Sequence, residues 1–189
     1  MDFHIIPECF VDTKLIKAIA PPTTKRGYNH QKGCLNVVKV MQEKLYDEFA
    51  LGILDKDKKT LKYCEEFEPI FEIENSLTLL KHQNRHHYLI FICPAIEKWL
   101  IDCAEKANIS LKDFGLPTHY IDLQKITKTA KSEEKDAYSS HLKQLFEALL
   151  QNKAKNVLVL AYWVNYLKKY NYNANLAEIR LTTTEILAI

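Results

Sequence analysis

Five acidic residues stand at or just beyond the ends of apolar segments, and their types and spacing suit the binding of a divalent metal ion. The five residues are Glu8, Asp12, Asp55, Asp57 and Glu97. The apolar segments that precede them are residues 3–6, 50–54 and 88–93. Carboxylate oxygens, with water and phosphate oxygens, are the ligands that Mg²⁺ prefers in proteins.

Convergence of these residues depends on how the apolar segments fold. In a parallel α/β sheet the carboxyl ends of the strands lie at one edge, where ligands bind. Carboxylates gathered there repel one another and are costly to bury, and a divalent cation offsets that cost. The i, i+2 spacing of Asp55 and Asp57 puts both side chains on one side of an extended backbone. A metal ion held this way polarises a phosphodiester and activates a water molecule.

Each acidic group also has a structural alternative. Aspartate is a favoured N-cap, so Asp12 could simply begin a helix. The helix dipole alone favours a glutamate such as Glu97 in a first helical turn. The sequence DKDKK at 55–59 is typical of a solvated turn. The occurrence of all three groups in order, each after a predicted strand, favours the metal site.

Hydrophobic periodicity predicts alternating strands and helices. Strands are predicted at residues 3–6, 50–54, 77–81 and 88–93. Helices are predicted from residue 12 to the Pro21-Pro22 pair, and at 35–49, 94–107, 137–151 and 156–170. The polar segment 82–87 predicts a hairpin turn, and the charged segment 125–136 a mobile link.

This alternation indicates an α/β fold with a mainly parallel sheet flanked by helices. We expect a first domain at residues 1–117 and a mainly helical C-terminal extension at 118–189. The five cysteines include no CxxC pair, which argues against a disulfide framework or a zinc site. A formal charge of +2 neither requires nor excludes a nucleic-acid partner. No apolar stretch approaches the roughly 18 residues of a membrane span. We therefore expect a soluble, cytoplasmic protein.

The ordered acidic motifs resemble the Toprim family, which includes topoisomerases, primases and the overcoming-lysogenization-defect (OLD) nucleases. IIPECFVD is similar to the first motif, a strand followed by a glutamate and, in the OLD-like branch, an aspartate four residues later. GILDKDK is similar to the second motif, a strand that runs into Asp-x-Asp. PAIEKWLID resembles a third motif of OLD-like and small standalone members, with Pro94, Glu97, Trp99 and Asp102. The resemblance covers residues 3–107, but Cys9 replaces the glycine that usually follows the first glutamate.

The resemblance implies phosphodiester chemistry that depends on Mg²⁺ or Mn²⁺. Glu8 would be a metal ligand or general acid/base, and Asp55 and Asp57 would be metal ligands, so these three are the expected catalytic residues. Asp12 and Glu97 would complete a second metal position. A nuclease acting on DNA or RNA fits so short a chain better than a topoisomerase or primase. Members of this branch often serve in phage defence beside an ATPase, and the chain has no GxxxxGK[ST] motif, so we expect an ATPase partner protein.

Lysines near the acidic motifs are candidates for contacts with a nucleic-acid backbone, and Arg85 with the histidines of residues 82–87 is a separate candidate for contact with substrate. The predicted substrate-binding residues are Lys14, Lys56, Lys58, Lys59 and Arg85. Surface lysines without such a role are an equal alternative, and Arg85 with its neighbouring histidines fits a plain hairpin turn. Tyr162, Tyr166 and Tyr170 recur every four residues, a spacing more typical of a core or a homo-oligomer interface than of a base-stacking platform.

Two other functions stay open. The chain could be a non-catalytic Toprim-like subunit that binds nucleic acid or a partner protein, its metal site weakened by the missing glycine. It could also be a metal-dependent phosphatase that uses Asp55 and Asp57. In that class the aspartate pair usually follows the first strand, and here a strand with Glu8 precedes it.

Overall fold

A five-stranded sheet forms the centre of the protein. The computed structural model describes residues 1–56, 61–129 and 137–189. The strands are β1 (Ile5–Pro7), β2 (Ala50–Asp55), β3 (Phe67–Ile73), β4 (Leu77–His82) and β5 (His87–Ile92). The helices are α1 (Phe10–Ile19), α2 (Cys34–Lys39), α3 (Ile96–Lys106), α4 (Tyr120–Thr129), α5 (Ser139–Gln151), α6 (Lys155–Tyr170) and α7 (Leu176–Ala188).

The sheet is mixed, with the strand order β1-β2-β5-β4-β3. β1 and β5 pair with β2 in parallel, whereas β4 and β3 extend the sheet by antiparallel pairings. The predicted α/β class with flanking helices is confirmed, but "mainly parallel" holds only for the three strands β1, β2 and β5. The hairpin predicted at residues 82–87 joins β4 to β5, and this tight turn makes the pair antiparallel.

β2 is buried on both faces, which is why it reads as an unbroken apolar run. Leu51 and Ile53 belong to the larger core, which α1, α3, α5, α6 and α7 share. Gly52 faces the smaller core, where a β-carbon would stand 2.7 Å from Leu89 Cδ2 and 3.1 Å from Val37 Cγ1. Glycine at this position therefore lets α2 pack closely on the sheet.

The C-terminal helices bury their apolar residues in the same core as the sheet. Ser76, between β3 and β4, accepts hydrogen bonds from Trp99 Nε1 at 2.9 Å and from Asn156 Nδ2 at 2.7 Å. The ring of Trp163 on α6 lies 6.4 Å from that of Phe71 on β3. These contacts tie residues 139–188 to the sheet, and the domain boundary at 117 stays a prediction.

Several element bounds differ from those predicted. The first strand begins at Ile5 because Asp2–His4 form a 3₁₀ turn, in which Asp2 accepts hydrogen bonds from Thr23 and Thr24. The helix predicted at 35–49 ends in a π-helical turn at Lys44. Residues 125–129 of the predicted link belong to α4, and residues 130–136 lie outside the described ranges. β3 and α7 were not predicted. In the parts of the chain described, no helix is long and apolar enough to cross a membrane.

Candidate metal centre

Three of the predicted acidic residues line one cleft at the carboxyl edge of the parallel strands. Glu8 follows β1, Asp55 ends β2, and Glu97 lies in the first turn of α3, after β5. Their cleft has a volume of about 410 Å³. The Glu8 backbone N–H donates to the Ile53 carbonyl at 3.0 Å, so the β1–β2 pairing continues to Glu8 and holds it beside the end of β2.

One oxygen of each of these carboxylates is held by the fold. Glu8 Oε2 accepts a hydrogen bond from the Asp55 backbone N–H at 3.2 Å. Asp55 Oδ1 accepts one from the Ile96 N–H, at the start of α3, at 3.0 Å. Thr127 on α4 donates its hydroxyl to Glu97 Oε1 at 2.5 Å. These bonds fix the orientation of the side chains and link β1, β2, α3 and α4 around the cleft.

Asp12 is not the N-cap of α1, because the helix begins two residues earlier, at Phe10. Cys9 is the N-cap, and Asp12 occupies the third helical position in a capping box with it. Asp12 Oδ2 accepts the Cys9 N–H at 3.0 Å, and Cys9 Sγ accepts the Asp12 N–H at 3.4 Å. Cys9 has an extended backbone, with φ of −135°, so the turn after Glu8 does not require the glycine expected there.

The electrostatics of Asp12 favour a positively charged ligand. Its side chain is 1% exposed, and Oδ1 is buried without a hydrogen-bond partner among the described residues. Burial raises the pKa of the Asp12 carboxyl well above its ordinary value, and repulsion from Glu8 and Glu97 acts in the same direction. A cation near Oδ1 would offset both effects.

The chemistry of the donors fits Mg²⁺ or Mn²⁺, but the described residues do not form a complete ligand set. Within residues 1–56, 61–129 and 137–189, no group of three or more His, Cys, Asp or Glu side chains is arranged to hold a metal ion. Asp57, the second acid of the Asp-x-Asp motif, lies outside these ranges, as do Lys58 and Lys59. The described carboxylates therefore supply charge and oriented oxygens, with one buried oxygen still in need of a partner.

Two of the predicted substrate contacts, Lys14 and Arg85, lie away from the carboxylate cleft, and their contact with substrate stays a prediction. Lys14 lines a separate cleft of about 560 Å³ with Lys17 and Lys143, because it lies about 200° around the helix from Asp12. Arg85 lies in the β4–β5 hairpin, at the end of the sheet opposite Asp55, with its guanidinium 3.7 Å from the centre of the Tyr46 ring. Lys56 follows Asp55 directly, and its Nζ lies 3.9 Å from Glu72 Oε1.

The cleft also contains residues that the sequence did not single out as site residues. They are His30, Lys32, Gln124, Thr127 and Lys128. Asn29, Gln31 and Gly33 donate backbone hydrogen bonds to the outer edge of β1 and to Glu8, which brings His30 and Lys32 to the cleft. The sequence did carry a signal for Lys32, which is a lysine close to the first acidic motif. Residues 124–128 carried no such signal, since only the packing of α4 on α3 places them here.

The remaining aromatic and histidine motifs have structural partners. His87 is fully buried, with Nδ1 2.5 Å from the Tyr63 hydroxyl and Nε2 2.8 Å from the Leu45 carbonyl. Burial lowers the pKa of His87 to about 4, so the ring is neutral near pH 7. In the tyrosine stripe, Tyr166 is buried and donates its hydroxyl to Glu178 on α7 at 2.7 Å, which favours a core role.

Comparison with known proteins gives no family or neighbour to set beside this site. The chain matches no protein-family model, no curated protein and no solved structure.

Proposed function

We propose that this protein is a nuclease that depends on Mg²⁺ or Mn²⁺ and belongs to the Toprim family, as its motifs suggest. One observation carries the proposal: Glu8, Asp12, Asp55 and Glu97 come from three separate parts of the chain to one sheet edge, where Asp12 Oδ1 is buried without a partner among the described residues. Gathering like charges in this way costs folding free energy, and a bound cation would offset that cost.

Each residue has a distinct part in this proposal. Glu8, Asp55 and Asp57 would hold the metal ion, with Asp12 and Glu97 at a second position. The metal would supply Lewis-acid stabilisation of a phosphodiester and of the leaving oxygen. Glu8, which lines the cleft, would also accept the proton of the attacking water. The hydrogen bonds from Asp55, Ile96 and Thr127 hold three of the carboxylates in place for these tasks.

Cations around the cleft would bind the phosphates next to the scissile bond. Lys32 and Lys128 line the cleft and are exposed, so each can reach a phosphate without losing a buried contact. Lys56 stands beside Asp55 and is half exposed. Lys58 and Lys59 stay predicted phosphate contacts outside the described residues. Phosphate contacts of this kind give affinity without base sequence preference.

Cleavage assays on purified protein test the proposal. Labelled DNA and RNA, each single-stranded and duplex, are incubated with Mg²⁺, Mn²⁺ or EDTA. Glu8→Ala, Asp55→Ala and Asp57→Ala should each lower the cleavage rate by at least about 100-fold, since loss of even supporting groups at a metal site costs about 10- to 100-fold. Asp47→Ala is a matched control, because Asp47 is an exposed aspartate at the opposite end of β2. Cleavage that persists in all three variants would contradict the site.

A non-catalytic binding subunit is the second candidate function. It is favoured by the lack, within the described ranges, of three side chains arranged to hold a metal. A wild-type protein that binds nucleic acid but does not cleave it, alone or with an ATPase partner, would support this alternative.

A further inference from the structure

A second and larger cleft adjoins the candidate metal centre. Its volume is about 920 Å³. It is lined by Lys56, Pro94 and Lys98, which are chain neighbours of residues that line the carboxylate cleft. Tyr120 on α4 lines the larger cleft and Gln124 the smaller one, and Gln124 Nε2 donates to the Tyr120 hydroxyl at 2.6 Å. The two clefts are therefore neighbours along β2, α3 and α4.

We propose that the larger cleft binds the unpaired nucleotides next to the scissile bond of a single-stranded nucleic acid, with one base stacked near Tyr120 and its phosphate near Lys56 and Lys98. This inference rests on the proposed function for its scissile bond. The binding itself can be measured without cleavage.

The charges in the larger cleft change sign along α3. Lys98 is exposed near the metal centre, and its Nζ lies 4.8 Å from the centre of the Tyr120 ring. Asp102 and Glu105 line the same cleft one and two turns further along the helix. A phosphate is attracted to the Lys98 end and repelled from the Glu105 end, about 10 Å away. The cleft thus suits a short stretch of one or two nucleotides.

The aromatic residues favour an unpaired base over a duplex. Tyr120 and His119 both line the cleft, and a base must leave its helix before it can stack on a side chain. The carboxylates of Asp102 and Glu105 can accept hydrogen bonds from the amino groups that an unpaired base exposes. The hydrogen bond from Gln124 fixes the Tyr120 ring and so lowers the entropy that stacking would otherwise cost.

Binding is measured in EDTA, so that no cleavage occurs, by the fluorescence anisotropy of labelled DNA and RNA strands of about 12 nucleotides and of matched hairpin duplexes. Tyr120→Leu should weaken binding of the single strands about tenfold, whereas Tyr120→Phe, which keeps the ring, should stay within about twofold. Lys98→Gln should reduce the slope of log affinity against log salt by about 0.7. Lys106→Gln is the matched control, because Lys106 lies on the same helix but lines a different cleft.

Three results would overturn the cleft assignment: no binding of single strands by the wild type, tighter binding of the duplexes, or equal binding of single strands by wild type and Tyr120→Leu. Comparison of the DNA and RNA strands shows whether the cleft binds deoxyribose or ribose nucleotides more tightly. Single-strand binding that needs Tyr120 but is not followed by cleavage in Mg²⁺ or Mn²⁺ would support the cleft and contradict the nuclease. Cleavage at the wild-type rate by both Tyr120→Leu and Lys98→Gln would support the nuclease and contradict the cleft assignment. Thermal unfolding of each variant separates these effects from loss of folding.

Discussion

The two ends of β2 bury polar side chains in different ways. At the amino end, His82 and His87 are buried in the fold, and all four of their ring nitrogens have hydrogen-bond partners within the chain. At the carboxyl end, Glu8, Asp12 and Glu97 bring like charges together, and Asp12 Oδ1 has no hydrogen-bond partner among the residues described. A buried polar group that is fully paired stabilises a fold, whereas one left unpaired costs free energy.

This contrast suggests a structural role for the buried histidines at one end of β2 and a ligand-binding role for the carboxylates at the other. At the histidine end the two buried rings are satisfied within the chain, and His87 joins Tyr63 to the Leu45 carbonyl. The acidic end is the costly one, and costs of this kind are typical of sites that bind a ligand. Substitutions at the two ends should therefore differ in what they change, and in one case in the sign of the change.

The largest effect on stability is expected at the histidine end. His87→Ala should lower the free energy of unfolding by about 3 kcal/mol, because it opens a cavity and removes the hydrogen bonds that the ring makes with the Tyr63 hydroxyl and the Leu45 carbonyl. Tyr63→Phe removes only the hydroxyl and should cost about 1 kcal/mol. Urea unfolding measures both changes. An unchanged midpoint in His87→Ala would show that this end is not a closed structural unit.

Acidification should weaken the histidine end in a defined pH range. The pKa of His87 is lowered by burial to about 4, from an ordinary value of 6.5. The unfolded chain therefore takes up a proton below pH 6.5 that the folded chain resists, so His87 stabilises the fold above pH 6.5 and loses that contribution as the pH falls toward 4. Between pH 7 and pH 5 the loss should be about 1 to 2 kcal/mol. The fall in unfolding free energy should be smaller by this amount in His87→Gln.

Asp12→Asn should have the opposite sign. Without metal, the neutral amide removes the repulsion from Glu8 and Glu97 and can still accept the Cys9 N–H, so the free energy of unfolding should rise by about 1 kcal/mol. Thermal unfolding in EDTA and in Mn²⁺ measures this. The wild type should gain more from Mn²⁺ than the variant does. A variant less stable than wild type in EDTA would mean that Asp12 is mainly a capping residue.

The smallest effects are expected for two surface cations, one at each end of β2, which should differ in whether they contribute to nucleic-acid binding. Arg85→Ala should leave nucleic-acid affinity unchanged and cost about 0.5 to 1 kcal/mol of stability, through its stacking on Tyr46. Lys128→Ala, at the carboxylate cleft, should leave stability unchanged and weaken binding by a few fold, with a smaller salt dependence. Anisotropy and urea unfolding test both variants. Weaker nucleic-acid binding by Arg85→Ala would instead support the substrate contact that the sequence predicts at the hairpin.

Strong apolar runs made much of the fold predictable. β2 and β5 are buried on both faces, so their sequences stand out from the polar segments around them. β3 alternates buried and exposed residues and contains Pro69, and it lies at the edge of the sheet, where such patterns are tolerated. α7 has a weak amphipathic pattern, and its packing on α6 could not be inferred from local sequence.

The candidate site was predictable where it depends on the ends of strands. Glu8 and Asp55 reach one cleft because β1 and β2 are parallel and adjacent. Proximity in sequence did not bring Lys14 to the cleft, since it lies on another side of α1 from Asp12. Arg85, predicted together with the hairpin histidines, lies at the other end of the sheet. Thr127 and its neighbours on α4 reach Glu97 only through tertiary packing.

Direct titration with Mn²⁺ tests the central claim, that the acidic end of β2 is a metal site. Isothermal titration calorimetry compares the wild type with Glu8→Gln and with the control Asp47→Asn. The wild type and Asp47→Asn should show the same saturable binding, and Glu8→Gln should bind at least about tenfold more weakly. No saturable binding by the wild type, or equal binding by Glu8→Gln, would contradict the claim.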